Sequence, residues 1–121
     1  MKIVLVVEDE EVMIRVLTDN LSAENFGILV ARDGEQAIKM LMTHKPDLVL
    51  LDLLMPKVNG YNVLGKLKAD PDLSKIPVLV LSNLGEFEDI NKAMELGADD
   101  YIVKSHHSVS EIIEKVKKYL G

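Results

Sequence analysis

The chain has 121 residues, 48% of them apolar and 28% charged, enough for one compact domain with an aliphatic core and too few for two. Its formal charge of −6 argues against direct nucleic-acid binding and against an anionic membrane surface, both of which need a basic face. Without cysteine there are no disulfides, thiolate zinc sites or thiol chemistry, and the opening MKIVLVVEDEE is too short an apolar run for a leader or a membrane span.

In chain order, Lys2–Val7 is continuous, short and β-branched, the pattern of a strand buried on both faces. A helix follows with Val12, Met13, Val16, Leu17 and Leu21 near helical spacing, and Gly27 is expected as its C-cap. Ile28–Ala31 is the second strand. Asp33 caps a helix carrying Ala37, Ile38, Leu41 and Met42. Leu48–Leu51 is the third strand, and Gly60 opens a helix with Val63, Leu64 and Leu67 inward. After the DPDLSK loop, Val78–Leu81 is the fourth strand. The next helix carries Ile90, Ala93 and Met94 and stops at Gly97. Asp100–Lys104 is the fifth strand. Ser108 and Glu111 form an S-x-x-E capping box for a last helix with Val109, Ile112, Ile113, Val116 and Leu120 on one stripe.

Five strand–helix units in strict alternation predict an α/β fold over residues 1–121: a flavodoxin-like, doubly wound, five-stranded parallel sheet with helices on both faces. In such a sheet of order 2-1-3-4-5, ligands bind beyond the C-terminal ends of the strands. Glu8 and Asp9 follow the first strand, Asp52 the third, Ser82 the fourth and Lys104 the fifth, so they share one edge. Asp52 interrupts the apolar run VLLDLLMP, where an unpaired buried carboxylate would cost several kcal/mol; Met55 and Pro56 are expected to stiffen the loop beyond it. Converging carboxylates repel unless a hard divalent cation neutralises them, and Mg2+ is the natural candidate. The Lys104 ammonium suits a phosphoryl oxygen, and Ser82 adds a hydroxyl donor. Such a set fits phosphoryl transfer, with the carboxylate itself as nucleophile.

The motifs VVEDEE, LLDLLMPKVNG, VLVLS and GADDYIVK, in that order and across essentially the whole chain, resemble the receiver domain of two-component response regulators, the CheY-like family. The resemblance implies that Asp52 accepts a phosphoryl group and that Glu8, Asp9, Asp52 and the backbone carbonyl of Leu54 hold Mg2+ or Mn2+. It implies that Lys104 and Ser82 contact the phosphoryl group and that Ser82 and Tyr101 form the switch. The phosphoryl donor would be a histidine kinase, a histidine phosphotransfer protein or a small acyl phosphate. Output would pass to an effector protein or domain through the face of helix 4, strand 5 and helix 5, which could also form a phosphorylation-dependent dimer. The location would be cytoplasmic. Two features depart from the family: Ser105 follows the lysine where proline is usual, and Leu54 and Leu84 occupy the variable positions that help orient the attacking water. Both being apolar, slow hydrolysis of the phosphoryl group is expected.

Other readings are weaker. Ser82 could be ordinary turn chemistry and Tyr101 mere packing. Asp99 and Asp100 lie at the opposite strand end and read as solvated. His106 and His107, being adjacent, point apart, and a loop suits them better than a metal site. The alternative function is a small Mg-dependent phosphatase of the dehalogenase type, but its nucleophile follows the first strand in a D-x-D motif where this chain reads EDE. A flavodoxin-type cofactor carrier needs a phosphate loop where EDEE would repel the ligand, and no P-loop is present. A docking-only receiver would not need the acidic, hydroxyl and lysine set.

Overall fold

The computed structural model describes residues 1–55 and 59–121; Pro56, with its expected role in the loop, lies outside them. Along the described residues run β1 (Ile3–Val7), α1 (Glu11–Ala23), β2 (Gly27–Ala31), α2 (Gly34–Thr43), β3 (Leu48–Leu51), α3 (Gly60–Ala69), β4 (Val78–Ser82), α4 (Phe87–Glu95), β5 (Asp100–Val103), a 3-10 turn (Lys104–His106) and α5 (Val109–Leu120). The five strands form one sheet in the order β2-β1-β3-β4-β5, and every pairing is parallel. This is the doubly wound architecture expected from the sequence.

The strands are apolar throughout because both faces are covered. Leu5, Val7, Val49, Leu51, Val78 and Val80 face a core shared with α2, α3 and α4. Their alternating neighbours Val4, Val6, Leu48, Leu50, Leu79 and Leu81 face α1 and α5, through Leu17, Leu21, Ile112, Ile113 and Val116. Period-two alternation thus divides each strand between two cores.

Several local expectations hold. The Asp33 side chain accepts from the Gln36 amide and caps α2. Ser108 and Glu111 make the full capping box of α5. Gly97 ends α4 with φ +106°, and its amide and that of Ala98 reach back to Met94 and Ala93, the Schellman pattern.

Others are corrected. Gly27 is the first residue of β2, not a C-cap. Asn25 takes the left-handed turn after α1, at φ 66°. Asparagine tolerates that conformation, and the Asn25 and Phe26 amides bond the Ser22 and Leu21 carbonyls. In α1 the buried stripe is Ile14, Leu17 and Leu21, while Val12 is 73% exposed. Once the helix starts at Glu11, position 12 falls out of phase with that stripe. Met42 and Met94 likewise turn outward. β4 includes Ser82, and β5 ends at Val103, so Lys104 begins the following turn. No described peptide bond is cis.

Candidate functional site

The C-terminal ends of β1 and β3 place two carboxylates. The Glu8 amide bonds the Ala31 carbonyl at 2.9 Å and the Asp52 amide bonds the Val7 carbonyl at 3.0 Å, continuing the parallel ladders one residue past the strands. Both side chains are consequently buried at the sheet edge, Glu8 at 2% and Asp52 at 6% exposure, while Asp9 is exposed. Carboxylate oxygens of Glu8, Asp9 and Asp52 all lie within 4.8 Å of one another. A set of hard oxygen donors at that spacing fits a hard divalent cation such as Mg2+ or Mn2+.

Lys104 arrives from the end of β5. Its Nζ donates to Glu8 Oε2 at 2.7 Å and to Asp52 Oδ2 at 3.5 Å, and only 10% of its side chain is exposed. Burial alone would lower the pKa of this ammonium, but the bond to Glu8 and the charges of Asp52 and Glu8 outweigh it and raise the value. The lysine therefore stays cationic. Glu8 is pushed up as well, to about 6, which for a carboxylate favours the neutral form. Burial is the main cause and the Asp52 charge adds to it, while the Lys104 bond opposes it.

The loops after β3 and β4 complete the rim. The Leu54 amide donates to Asp52 Oδ1 at 3.3 Å, so the turn after the acidic residue fastens one of its oxygens. The Leu54 side chain stands 59% exposed beside it. Ser82 is fully buried, and its Oγ accepts from the Leu84 amide at 3.2 Å. The same hydroxyl shares a hydrogen bond with the Tyr101 side chain. The Tyr101 ring packs against the core shared with α2–α4, and its hydroxyl donates to the Leu84 carbonyl. Burial, then the nearby Tyr61, push that hydroxyl up to about 12, so it remains a donor.

Glu8, Asp9, Asp52, Ser82 and Lys104 thus lie at one sheet edge with Leu54 and Leu84 on the loops beside it, whereas Tyr101 sits within β5 and reaches the β4–α4 loop through its hydroxyl. Two readings change. Asp99 is not simply solvated: its Oδ2 accepts from the Val78 amide at 2.8 Å and from Lys68 Nζ at 3.1 Å. Asp100 pairs with Lys115 at 3.1 Å. Tyr61 carried no role in the sequence, yet its hydroxyl donates to the Asp89 carbonyl of α4. An aromatic residue directly after the helix-opening glycine was the only available signal. His107 faces Glu111 at 3.6 Å and joins no metal-type cluster among the described residues.

Comparison with known proteins gives a consistent result. A profile described as the response regulator receiver domain matches residues 4–117. The chain is 39% identical over 119 residues to the alkaline phosphatase synthesis transcriptional regulatory protein PhoP of Bacillus subtilis (strain 168), covering 98% of this chain and 48% of that protein. It therefore spans about half the length of such relatives. Among solved structures, the Mn(2+)-bound form of response regulator Rcp1 superimposes with a TM-score of 0.86 at 31% identity, covering 98% of this chain and 91% of that one. The phosphorylated cyanobacterial phytochrome response regulator RcpA superimposes with a TM-score of 0.85 at 35% identity, covering 97% and 89%.

Proposed function

Because the chain belongs to the response regulator receiver domain family, we propose that Asp52 is its phospho-acceptor, charged by a histidine kinase or a histidine phosphotransfer protein. The observation that carries this reading is the Lys104 ammonium bridging the buried Glu8 and Asp52 of the acidic cluster. A fixed positive charge beside Asp52 supports this reading, because it can pair with a phosphoryl oxygen.

An oxygen of the Asp52 carboxylate attacks phosphorus. A P–O bond forms as the donor's P–N bond breaks, or its P–O bond if the donor is an acyl phosphate. The electron pair leaves with the donor. Glu8, Asp9, Asp52 and the Leu54 carbonyl would hold Mg2+ or Mn2+, which when bound supplies charge neutralisation to the transferring group. Lys104 contacts a phosphoryl oxygen, and the Ser82 hydroxyl donates to another. Ser82 and Tyr101 then report the phosphorylated state through the β4–α4 loop to the α4–β5–α5 face. An effector protein or domain, or a second copy of the chain, reads that face in the cytoplasm. The chain catalyses only its own phosphorylation and dephosphorylation. A dehalogenase-type phosphatase is disfavoured, because the buried acceptor candidate follows β3 and not β1.

Intact mass after incubation with acetyl phosphate and Mg2+ tests the reading. Wild type gains one phosphoryl group and Asp52→Asn gains none. The proposal fails if the variant gains it equally, or if wild type gains none from either acetyl phosphate or a phosphorylated kinase.

A further inference from the structure

The β4–α4 segment is fastened by three hydrogen bonds, one of which the switch described above does not include. Leu84 N donates to Ser82 Oγ, Tyr101 OH donates to the Leu84 carbonyl, and Tyr61 OH donates to the Asp89 carbonyl at 3.2 Å. The third comes from α3 and holds the first turn of α4. The same helix grips the Tyr61 ring from above, with Lys92 Nζ 4.2 Å from its centroid, a cation–π contact. Asp89 and Lys92 are three residues apart and so share a face of α4. Tyr61 thus meets that face at two points.

At its other end Tyr61 is tied to the acceptor turn. It follows Gly60, whose amide bonds the Leu53 carbonyl at 3.0 Å. Gly60 lies so close to the Asp52–Leu53 backbone that a Cβ there would fall 2.3 Å from the Asp52 carbonyl oxygen and 2.5 Å from Leu53 Cα. With that spacing, the start of α3 cannot shift independently of the residue after Asp52. Tyr61 and Tyr101 also pack against the same core.

We propose that Tyr61 is a positioning residue for phosphorylation, a second link from the Asp52–Leu53 turn to α4 that acts alongside Ser82 and Tyr101. The conformation it holds keeps the Ser82 hydroxyl on the strand end next to that of Asp52, where Oγ accepts from the Leu84 amide and shares a hydrogen bond with Tyr101. Releasing Tyr61 therefore weakens phosphoryl binding by making that conformation scarcer. This rests on the function proposed above.

The test is Mg2+-dependent binding of beryllofluoride, a phosphoryl mimic, by calorimetry. Tyr61→Phe keeps the ring and removes the hydroxyl, and should bind about fivefold more weakly, the scale of one net hydrogen bond. Lys92→Met should weaken binding in the same direction. Tyr61→Phe and Tyr101→Phe should also combine non-additively, since both hold one segment. A loss of stability alone would move the unfolding midpoint and leave the affinity of the folded protein unchanged. Unchanged or tighter binding by Tyr61→Phe, or strict additivity with Tyr101→Phe, overturns the inference while wild-type binding leaves the proposed function standing. Absence of binding by wild type overturns both.

Discussion

Lys104 Nζ lies 2.7 Å from Glu8 Oε2 and 3.5 Å from Asp52 Oδ2, so the ammonium is bonded first to a candidate metal ligand and only second to the candidate acceptor. With 10% of its side chain exposed, it is the counter-ion that makes two buried carboxylates tolerable. Removing one partner of such a cluster leaves uncompensated buried charge, a loss of about 3 kcal/mol. Lys104→Ala should accordingly be destabilised in denaturant unfolding with chelator present. Added Mg2+ should restore more stability to this variant than to wild type, because the cation then takes over the neutralising role. Equal gains from Mg2+ in both proteins would contradict that division of labour.

Glu8 sets a pH dependence of its own. Its value in the folded chain is about 6 against an ordinary 4.5, so the native state holds this proton more tightly than the unfolded chain does. The contribution to stability is fully present below about pH 4.5 and is lost as pH rises through about 6, a swing of about 2 kcal/mol by linkage. Metal-free wild type should lose that much relative to Glu8→Gln between pH 4.5 and pH 7.5. The check is denaturant unfolding of both proteins at each pH. A difference that stays flat across the range would mean that Glu8 is not perturbed. The same sign makes protons compete with a divalent cation below about pH 6.

The five strands and five helices were legible because strand burial and helix spacing are written in apolar periodicity, and the order of the strands followed from the doubly wound fold that such alternation implies. Asp52 stood out for the same reason, as the one carboxylate inside an apolar run. What escaped depends on partners distant in sequence. Asp99 accepts from Lys68 and Val78, and neither partner is visible in the local string GADD. Tyr61 meets α4 across 28 residues. Val12 has helical spacing yet faces outward, because spacing alone does not fix the phase of a helix whose start lies among four consecutive acids, Glu8 to Glu11. Asn25 took the turn expected of Gly27 because an asparagine can do a glycine's work there, and composition does not separate the two.

Leu54 and Leu84 flank the site with main-chain amides directed inward, to Asp52 Oδ1 and Ser82 Oγ. Their side chains carry no group able to orient or activate water. A positioned polar residue contributes through general-base and orientation effects, so its absence should lengthen the phosphoryl lifetime. The double variant Leu54→Asn, Leu84→Glu should hydrolyse its acyl phosphate about tenfold faster than wild type. Loss of radiolabelled phosphoryl group over time, or decay of the phosphorylated mass, gives the rate. If the lifetime is already short in wild type and the double variant does not shorten it further, slow hydrolysis is wrong for this chain.

Gly60 is the position where substitution should do most damage for the fewest atoms. An added Cβ would lie 2.3 Å from the Asp52 carbonyl oxygen and 2.5 Å from Leu53 Cα, and both are backbone atoms. No rotamer change relieves such a clash, so either α3 or the turn after Asp52 must move. Leu53, Val63 and Leu64 are buried on the inner side of that contact, which leaves little room for either movement. Gly60→Ala should lose about 3 kcal/mol of stability by overpacking, although alanine normally favours a helix over glycine by about 1 kcal/mol. Gly65→Ala supplies the control: it lies in the same helix and its Cβ would meet nothing within 4 Å. That variant should be unchanged or slightly stabilised and should accept phosphoryl groups as wild type does. Gly60→Ala, assayed well below its unfolding temperature, should be slower to accept phosphoryl groups from acetyl phosphate because its acceptor turn is displaced. Similar stability and phosphorylation rates for the two variants would show that the close approach at Gly60 does not control the geometry of Asp52.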